Sequence, residues 1–118
     1  MIHKTAIISS KASLSSNVKV GPYCIIDENV SIGEGTELIS HVHITGKTEI
    51  GKNNQFYPFS SIGTPPQDLK YNGEKNYLII GNNNKFREYV NINPGTEQGG
   101  GITKIGDNNL FMVYCHVA

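Results

Sequence analysis

The chain has no excess of either charge: ten basic residues cancel ten acidic ones. This removes the basic patch that a nucleic-acid surface needs, and no run of like charge marks a disordered tail. Long apolar runs are missing as well. None approaches the roughly 20 residues of a membrane span, and the opening Met1-Ile2-His3-Lys4-Thr5 lacks the apolar centre of a signal peptide. Cysteine is scarce, and two thiols at Cys24 and Cys115 do not make a disulfide framework. The simplest reading is two buried free thiols in a reducing cytoplasm. At 118 residues the chain is one domain. Glycine and asparagine are abundant instead, 13 of each, as a fold made largely of corners requires.

The apolar residues follow a period of six. Stepping from Ile8, the chain reads Ile8, Leu14, Val20, Ile26, Ile32, Leu38, Ile44, Ile50, Phe56, Ile62, all large and apolar. A helix repeats near 3.6 residues and a half-buried strand at 2, so six fits a short strand plus a turn, repeated. Two residues before each of these lies a second, mostly small or β-branched series: Ala6, Ala12, Val18, Cys24, Val30, Thr36, Val42, Thr48, Asn54, Ser60. Alternation puts both series on one face. Glycines follow the large residue at 21, 33, 51 and 63, and three residues after it come Asn17, Asn29, Gly35 and Asn53, types that tolerate positive φ in a corner. The pattern is the hexapeptide signature of a parallel β-helix. Asn29-Val30-Ser31 fits a glycosylation acceptor, but its place in a repeat corner argues against that use.

The ladder breaks twice. Residues 64–77, with Pro65-Pro66 and a polar, charged body, read as a loop leaving the helix. The ladder resumes at Ile80, Phe86 and Ile92. Because Ile62 and Ile80 are 18 residues apart, the excursion spans about one coil of sequence. Residues 93–102, from Asn93-Pro94-Gly95-Thr96 to Gly99-Gly100-Gly101, are turn chemistry throughout, and Ile105, Phe111 and Val117 continue the series. The template Ile-Gly-x-Asn-Asn-x-Phe recurs from Ile50, Ile80 and Ile105, which we read as the same architectural corner rather than a site. Residues 1–118 are thus expected to form one β-helix domain, and the chain stops at Ala118 inside a repeat with no cap, as though cut.

A bare solenoid is a scaffold, and long loops on it are where function is sought. Ser61-Ile62-Gly63 leading to Pro66-Gln67-Asp68-Leu69-Lys70-Tyr71 and Gly73-Glu74 resembles the substrate loop of the UDP-N-acetylglucosamine O-acyltransferases of lipid A biosynthesis. The resemblance continues through Arg87-Glu88, Asn91 to Thr96, Gly99-Gly100, Thr103 to Gly106 and Met112 to Ala118. It implies an all-β, left-handed parallel β-helix with three hexapeptides, about 18 residues, per triangular coil. It also implies a cytoplasmic homotrimer that needs no cofactor or metal. The family moves a 3-hydroxyacyl group from acyl carrier protein to the sugar 3-hydroxyl of UDP-N-acetylglucosamine.

By position, Asp68 resembles the carboxylate that accepts hydrogen bonds from the sugar, Gln67 and Lys70 resemble further substrate contacts, and His116 resembles the first histidine of His-x-Ala-His-Asp. A sugar hydroxyl needs a positioned base. In the family this is the second histidine of that motif, expected just after Ala118, so the 118 residues alone are expected to be catalytically incomplete. Plainer roles exist for each residue: Asp68 bracing its own loop, Lys70 as a solvated charge, His116 as a satisfied interior imidazole. Three other function classes compete: a non-catalytic repeat scaffold, a different sugar acyltransferase of the superfamily, and a zinc site of the hexapeptide carbonic anhydrase type. The zinc site would have to use His41 and His43 with His116 about four coils on, which does not bring three ligands to one height. His3, His41 and His43 are otherwise read as surface residues.

Overall fold

The computed structural model describes residues 1–64, 76–94 and 101–117. The loop residues Gln67, Asp68 and Lys70 lie outside this set. Every element is a short β-strand, and the strands stack into three parallel sheets. The first face consists of β1 (Ile7–Ile8), β4 (Ile25–Ile26), β7 (His43–Ile44), β10 (Ser61–Ile62), β13 (Asn91–Ile92) and β16 (His116–Val117). The second consists of β2 (Ser13–Leu14), β5 (Val30–Ile32), β8 (Thr48–Ile50), β11 (Tyr77–Ile80) and β14 (Ile102–Ile105). The third consists of β3 (Lys19–Val20), β6 (Glu37–Leu38), β9 (Gln55–Phe56), β12 (Lys85–Phe86) and β15 (Leu110–Phe111). The chain visits the faces in turn, and each strand pairs with the strand one coil away. This is the parallel β-helix expected from the repeat, and of the left-handed kind that the resemblance implied.

The period of six becomes a core because each strand contributes one inward side chain and each corner another. Val20, Ile26, Ile32, Leu38, Ile44, Ile50, Phe56, Ile62, Ile80, Phe86 and Ile92 are all buried, and the small series supplies Val18, Cys24, Val30, Thr36, Val42, Thr48, Asn54 and Ser60 beside them. The recurring Ile-Gly-x-Asn-Asn-x-Phe segments fall on the corner between the second and third faces. Their phenylalanines stack in register, Phe56 on Phe86 at 4.5 Å and Phe86 on Phe111 at 4.8 Å between centroids.

The buried asparagines of the same segments link the coils. Asn54 Nδ2 donates to the Gly81 carbonyl at 2.8 Å, and Asn54 Oδ1 accepts the Asn84 N–H at 2.9 Å. Asn84 repeats the pattern with Gly106 and Asn109, both at 2.8 Å. Thr36 does the same work one coil below, donating to the Gly51 carbonyl and accepting the Asn54 N–H.

The structure corrects two expectations. First, positive φ occurs at Asn17, Gly35 and Asn53, but not at Asn29. Asn29 lies on the corner between the first and second faces. There the turn is closed by Val30 N–H donating to the Glu28 carbonyl, and one coil higher the positive φ moves to Gly46. Second, Ile80 stacks on Ile50 of the second face, whereas Ile92 stacks on Ile62. The first loop therefore uses 18 residues to turn one corner and does not advance a whole coil. Loop residues lengthen the chain without raising the stack. Of the two thiols, Cys24 is buried and Cys115 only partly so.

Candidate functional site

Both insertions spring from one corner, between the first and second faces, in consecutive coils. The chain leaves after Thr64 and re-enters at β11, then leaves after Pro94 and re-enters at β14; β10 pairs with β13 and β11 with β14. Their roots are joined. Asn93, buried at the start of the second insertion, donates through Nδ2 toward the Thr64 carbonyl at 2.9 Å, the Thr64 hydroxyl at 3.0 Å and Asn91 Oδ1 at 3.1 Å. Gly63 lies immediately before the first departure with φ +82°, and a Cβ there would collide with the Thr45 carbonyl and the Thr48 hydroxyl. Only glycine fits that pivot.

The outward column of the first face leads to the same corner. From bottom to top it reads Ile7, Ile25, His43, Ser61, Asn91, His116, each in register with the next. His116 is exposed on β16, so it is not a satisfied interior imidazole. Below the loops the corner forms an open groove of about 590 Å³ lined by Ser9, Ser10, Lys11, Asp27, Thr45 and Gly46 among others. Asp27 joins groove and column: its Oδ2 is 3.1 Å from His43 Nε2. A hydrogen bond from the Thr45 side chain is the main reason its carboxyl is held below the usual range. Partial burial opposes that shift, and His43 adds to it. The Asp27–Thr45–His43 cluster was invisible in the sequence, because only the coil brings positions 16 to 18 residues apart into contact.

The histidines do not converge. His41 sits on the corner between the third and first faces, its ring tilted between those of Tyr23 at 5.2 Å and Phe59 at 5.0 Å. His43 is bound to Asp27, and His116 is three strands above it, about 14 Å at ordinary strand spacing. That is fewer coils than the sequence interval suggested, because two loops consume part of it. Among the described residues no three His, Cys, Asp or Glu side chains cluster in a way that could hold a metal.

Fold and corner together define a hexapeptide-repeat solenoid with a loop-bearing functional edge. No protein-family model matches the chain. It is 57% identical over 117 residues, 99% of its length, to the acyl-[acyl-carrier-protein]–UDP-N-acetylglucosamine O-acyltransferase of Thermodesulfovibrio yellowstonii, and 55% identical over the same span to that of Psychrobacter. Among solved structures, the UDP-N-acetylglucosamine O-acyltransferase of Moraxella catarrhalis superposes with a TM-score of 0.97 at 51% identity, covering 99% of this chain and 46% of that one. The Francisella novicida UDP-N-acetylglucosamine acyltransferase superposes with a TM-score of 0.97 at 42% identity, covering 100% and 43%. Along nearly its whole length the chain is similar to these acyltransferases. It spans a little under half the length of the curated relatives it matches, 45% of the first two.

Proposed function

We propose that this chain is the nucleotide-sugar end of an O-acyltransferase. The reaction moves a 3-hydroxyacyl group from an acyl carrier protein thioester to the 3-hydroxyl of UDP-N-acetylglucosamine, the first step of lipid A biosynthesis. The observation that carries this reading is the single corner from which both insertions leave, beside the column that carries Ser61, Asn91 and His116. The identity to named O-acyltransferases along the whole chain supports it.

In this reading Asp68 accepts hydrogen bonds from sugar hydroxyls, with Gln67 and Lys70 as further contacts. His116 meets the substrate from the first face. Transfer requires a base to take the hydroxyl proton as the oxygen attacks the thioester carbon, and donors to hold the oxyanion that forms there. None of the 118 residues is assigned either part. The enzyme acts in the cytoplasm, where acyl carrier protein is found, as a homotrimer of parallel β-helices with its sites in the clefts between subunits.

Acyl transfer from 3-hydroxyacyl carrier protein to UDP-N-acetylglucosamine tests the reading, assayed on the 118-residue chain and on one extended through a full family-length sequence. The extended protein is expected to turn over, and to lose most of its rate with Asp68→Ala. The short chain is expected to show no turnover, because losing a single oxyanion donor already costs about 10²–10³ in rate and the base is absent as well. Turnover by the short chain near the rate of the long one would overturn the assignment of the base.

A further inference from the structure

Asn93, at the root of the second insertion, is 1% exposed. Its Nδ2 faces the Thr64 carbonyl at 2.9 Å. A backbone carbonyl can only accept, so the nitrogen of the amide, and not its oxygen, must turn that way. The other end of the amide is left over: Oδ1 is buried, and among the described residues no donor reaches it. A buried carbonyl without a donor is costly, and an apolar side chain would fill the same space without that cost. The position therefore calls for what Nδ2 does, not for packing.

The same nitrogen fixes a second amide. It lies 3.1 Å from Asn91 Oδ1 on β13. Because Asn93 offers a donor there, Asn91 must answer with its oxygen, and its own Nδ2 is turned away from the loop root. Asn91 is only partly buried, and among the described residues its Nδ2 meets no acceptor. A backbone carbonyl at Thr64 thus sets Asn93, and Asn93 sets which end of Asn91 points outward.

Asn91 stands in the outward column of the first face, in register with Ser61 below it and His116 above. The far edge of that face is lined by five rings, Tyr23, His41, Phe59, Tyr89 and Tyr114, with successive centroids 5.0–5.4 Å apart. The near edge is the corner that launches both insertions. The outward donor of Asn91 therefore lies one strand from His116, about 5 Å, and on the side of the first insertion's root.

We propose that Asn91 is a substrate-binding residue whose Nδ2 donates a hydrogen bond to an oxygen of the sugar, and that Asn93 is the positioning residue that turns it there. The proposal rests on the functional reading above, in which the sugar is met by His116 and by the first insertion. A sugar presents neutral hydroxyl and carbonyl oxygens, and an uncharged amide N–H suits them. A diphosphate is ordinarily held by lysine or arginine. The chemistry of the donor therefore assigns the sugar, and not the diphosphate, as its partner.

The test is steady-state kinetics of acyl transfer by the protein extended to full family length. It compares wild type with Asn91→Ala, Asn91→Asp and, as control, Gln55→Glu on the third face. Asn91→Asp is the informative change. A carboxylate oxygen still accepts from Asn93, so the anchor stays and only the outward donor is altered. KM for UDP-N-acetylglucosamine should rise about fivefold with Asn91→Ala, which removes one ordinary hydrogen bond, and about thirtyfold with Asn91→Asp, which sets an acceptor against an acceptor. KM for the acyl carrier protein substrate should stay within about twofold throughout, because the lost contact is to the sugar alone. Inhibition by UDP, which lacks the sugar, should be the same in wild type and both Asn91 variants, and Gln55→Glu should match wild type in every constant.

Asn93→Leu, with its fold checked by circular dichroism, tests the positioning. It should raise the sugar-nucleotide KM on its own, and raise it less when added to Asn91→Ala, because part of its effect passes through Asn91. Effects that multiply in full would refute the positioning role. Asn91→Asp with a KM at or below that of Asn91→Ala would show that the outward atom does not donate, and the proposal would fail. Weaker inhibition by UDP in parallel with the rise in KM would refute the sugar as partner. Each of these leaves the functional reading standing. An extended wild-type protein without turnover would refute that reading and this assignment together.

Discussion

Replacing Asn54 with alanine tests whether the buried amide column holds the coils together. Asn54 is fully buried, and its side chain serves two backbone groups of the next coil, the Gly81 carbonyl and the Asn84 N–H. Alanine leaves both without that partner. Each buried polar group so stranded costs about 1–3 kcal/mol, and the lost side-chain volume adds a smaller amount, so the expected loss is about 3–5 kcal/mol.

The structure also supplies the rescue. Thr36 occupies the equivalent place one coil below. Its hydroxyl donates to the Gly51 carbonyl at 2.9 Å and accepts the Asn54 N–H at 3.2 Å. Asn54→Thr should therefore lose no more than about 1 kcal/mol, the net worth of an ordinary hydrogen bond. Urea titration followed by circular dichroism separates the outcomes. With a slope of about 1.5 kcal/mol per molar, Asn54→Ala should move the midpoint down by about 2 M or more, and Asn54→Thr by well under 1 M. Equal midpoints for the two variants would refute the reasoning, because they differ mainly in whether those two groups keep a partner.

Three further outcomes are expected. Ile32→Asp places an unpaired charge where the wild-type side chain is 2% exposed, and should unfold the chain or lower its urea midpoint severely, whereas Glu34→Ala on an exposed corner should change it by no more than about 0.5 kcal/mol. Burial raises the Cys24 thiol above its ordinary range, and thiolate is the reactive form, so mildly alkaline iodoacetamide should label Cys115 well before Cys24, as read by mass spectrometry. The Asp27 carboxyl is held low mainly by Thr45; the stability this confers is complete above the carboxyl's unfolded-state pKa and disappears as pH falls through the lower folded-state value, so wild type and Thr45→Val should differ more in thermal midpoint near neutrality than in strong acid.

The inward surface of this protein was legible from the sequence because it is a local property. Ile8 to Ile62 repeat at six, strand alternation puts them on one side, and each strand needs only its own residues to know which way is in. The recurrence of Ile-Gly-x-Asn-Asn-x-Phe likewise announced a repeated corner, and the two breaks in the ladder announced two loops. The outward surface was not legible, because it depends on which coils become neighbours. Ile80 follows Ile62 by about one coil's length of sequence, but the loop turned a single corner and Ile80 stacked on Ile50. Only pairing brought Asp27 to His43, joined the loop roots through Asn93 and Thr64, and lined His116 up with Asn91 and Ser61. The five rings from Tyr23 to Tyr114 carry no motif; each looks like an isolated surface residue until the stack sets them 5.0–5.4 Å apart. A periodic sequence specifies the unit and its buried side. Lateral hydrogen bonding between coils then decides which outward residues share an edge, because contacts there join residues 16 or more positions apart, and the length of each intervening loop sets that interval.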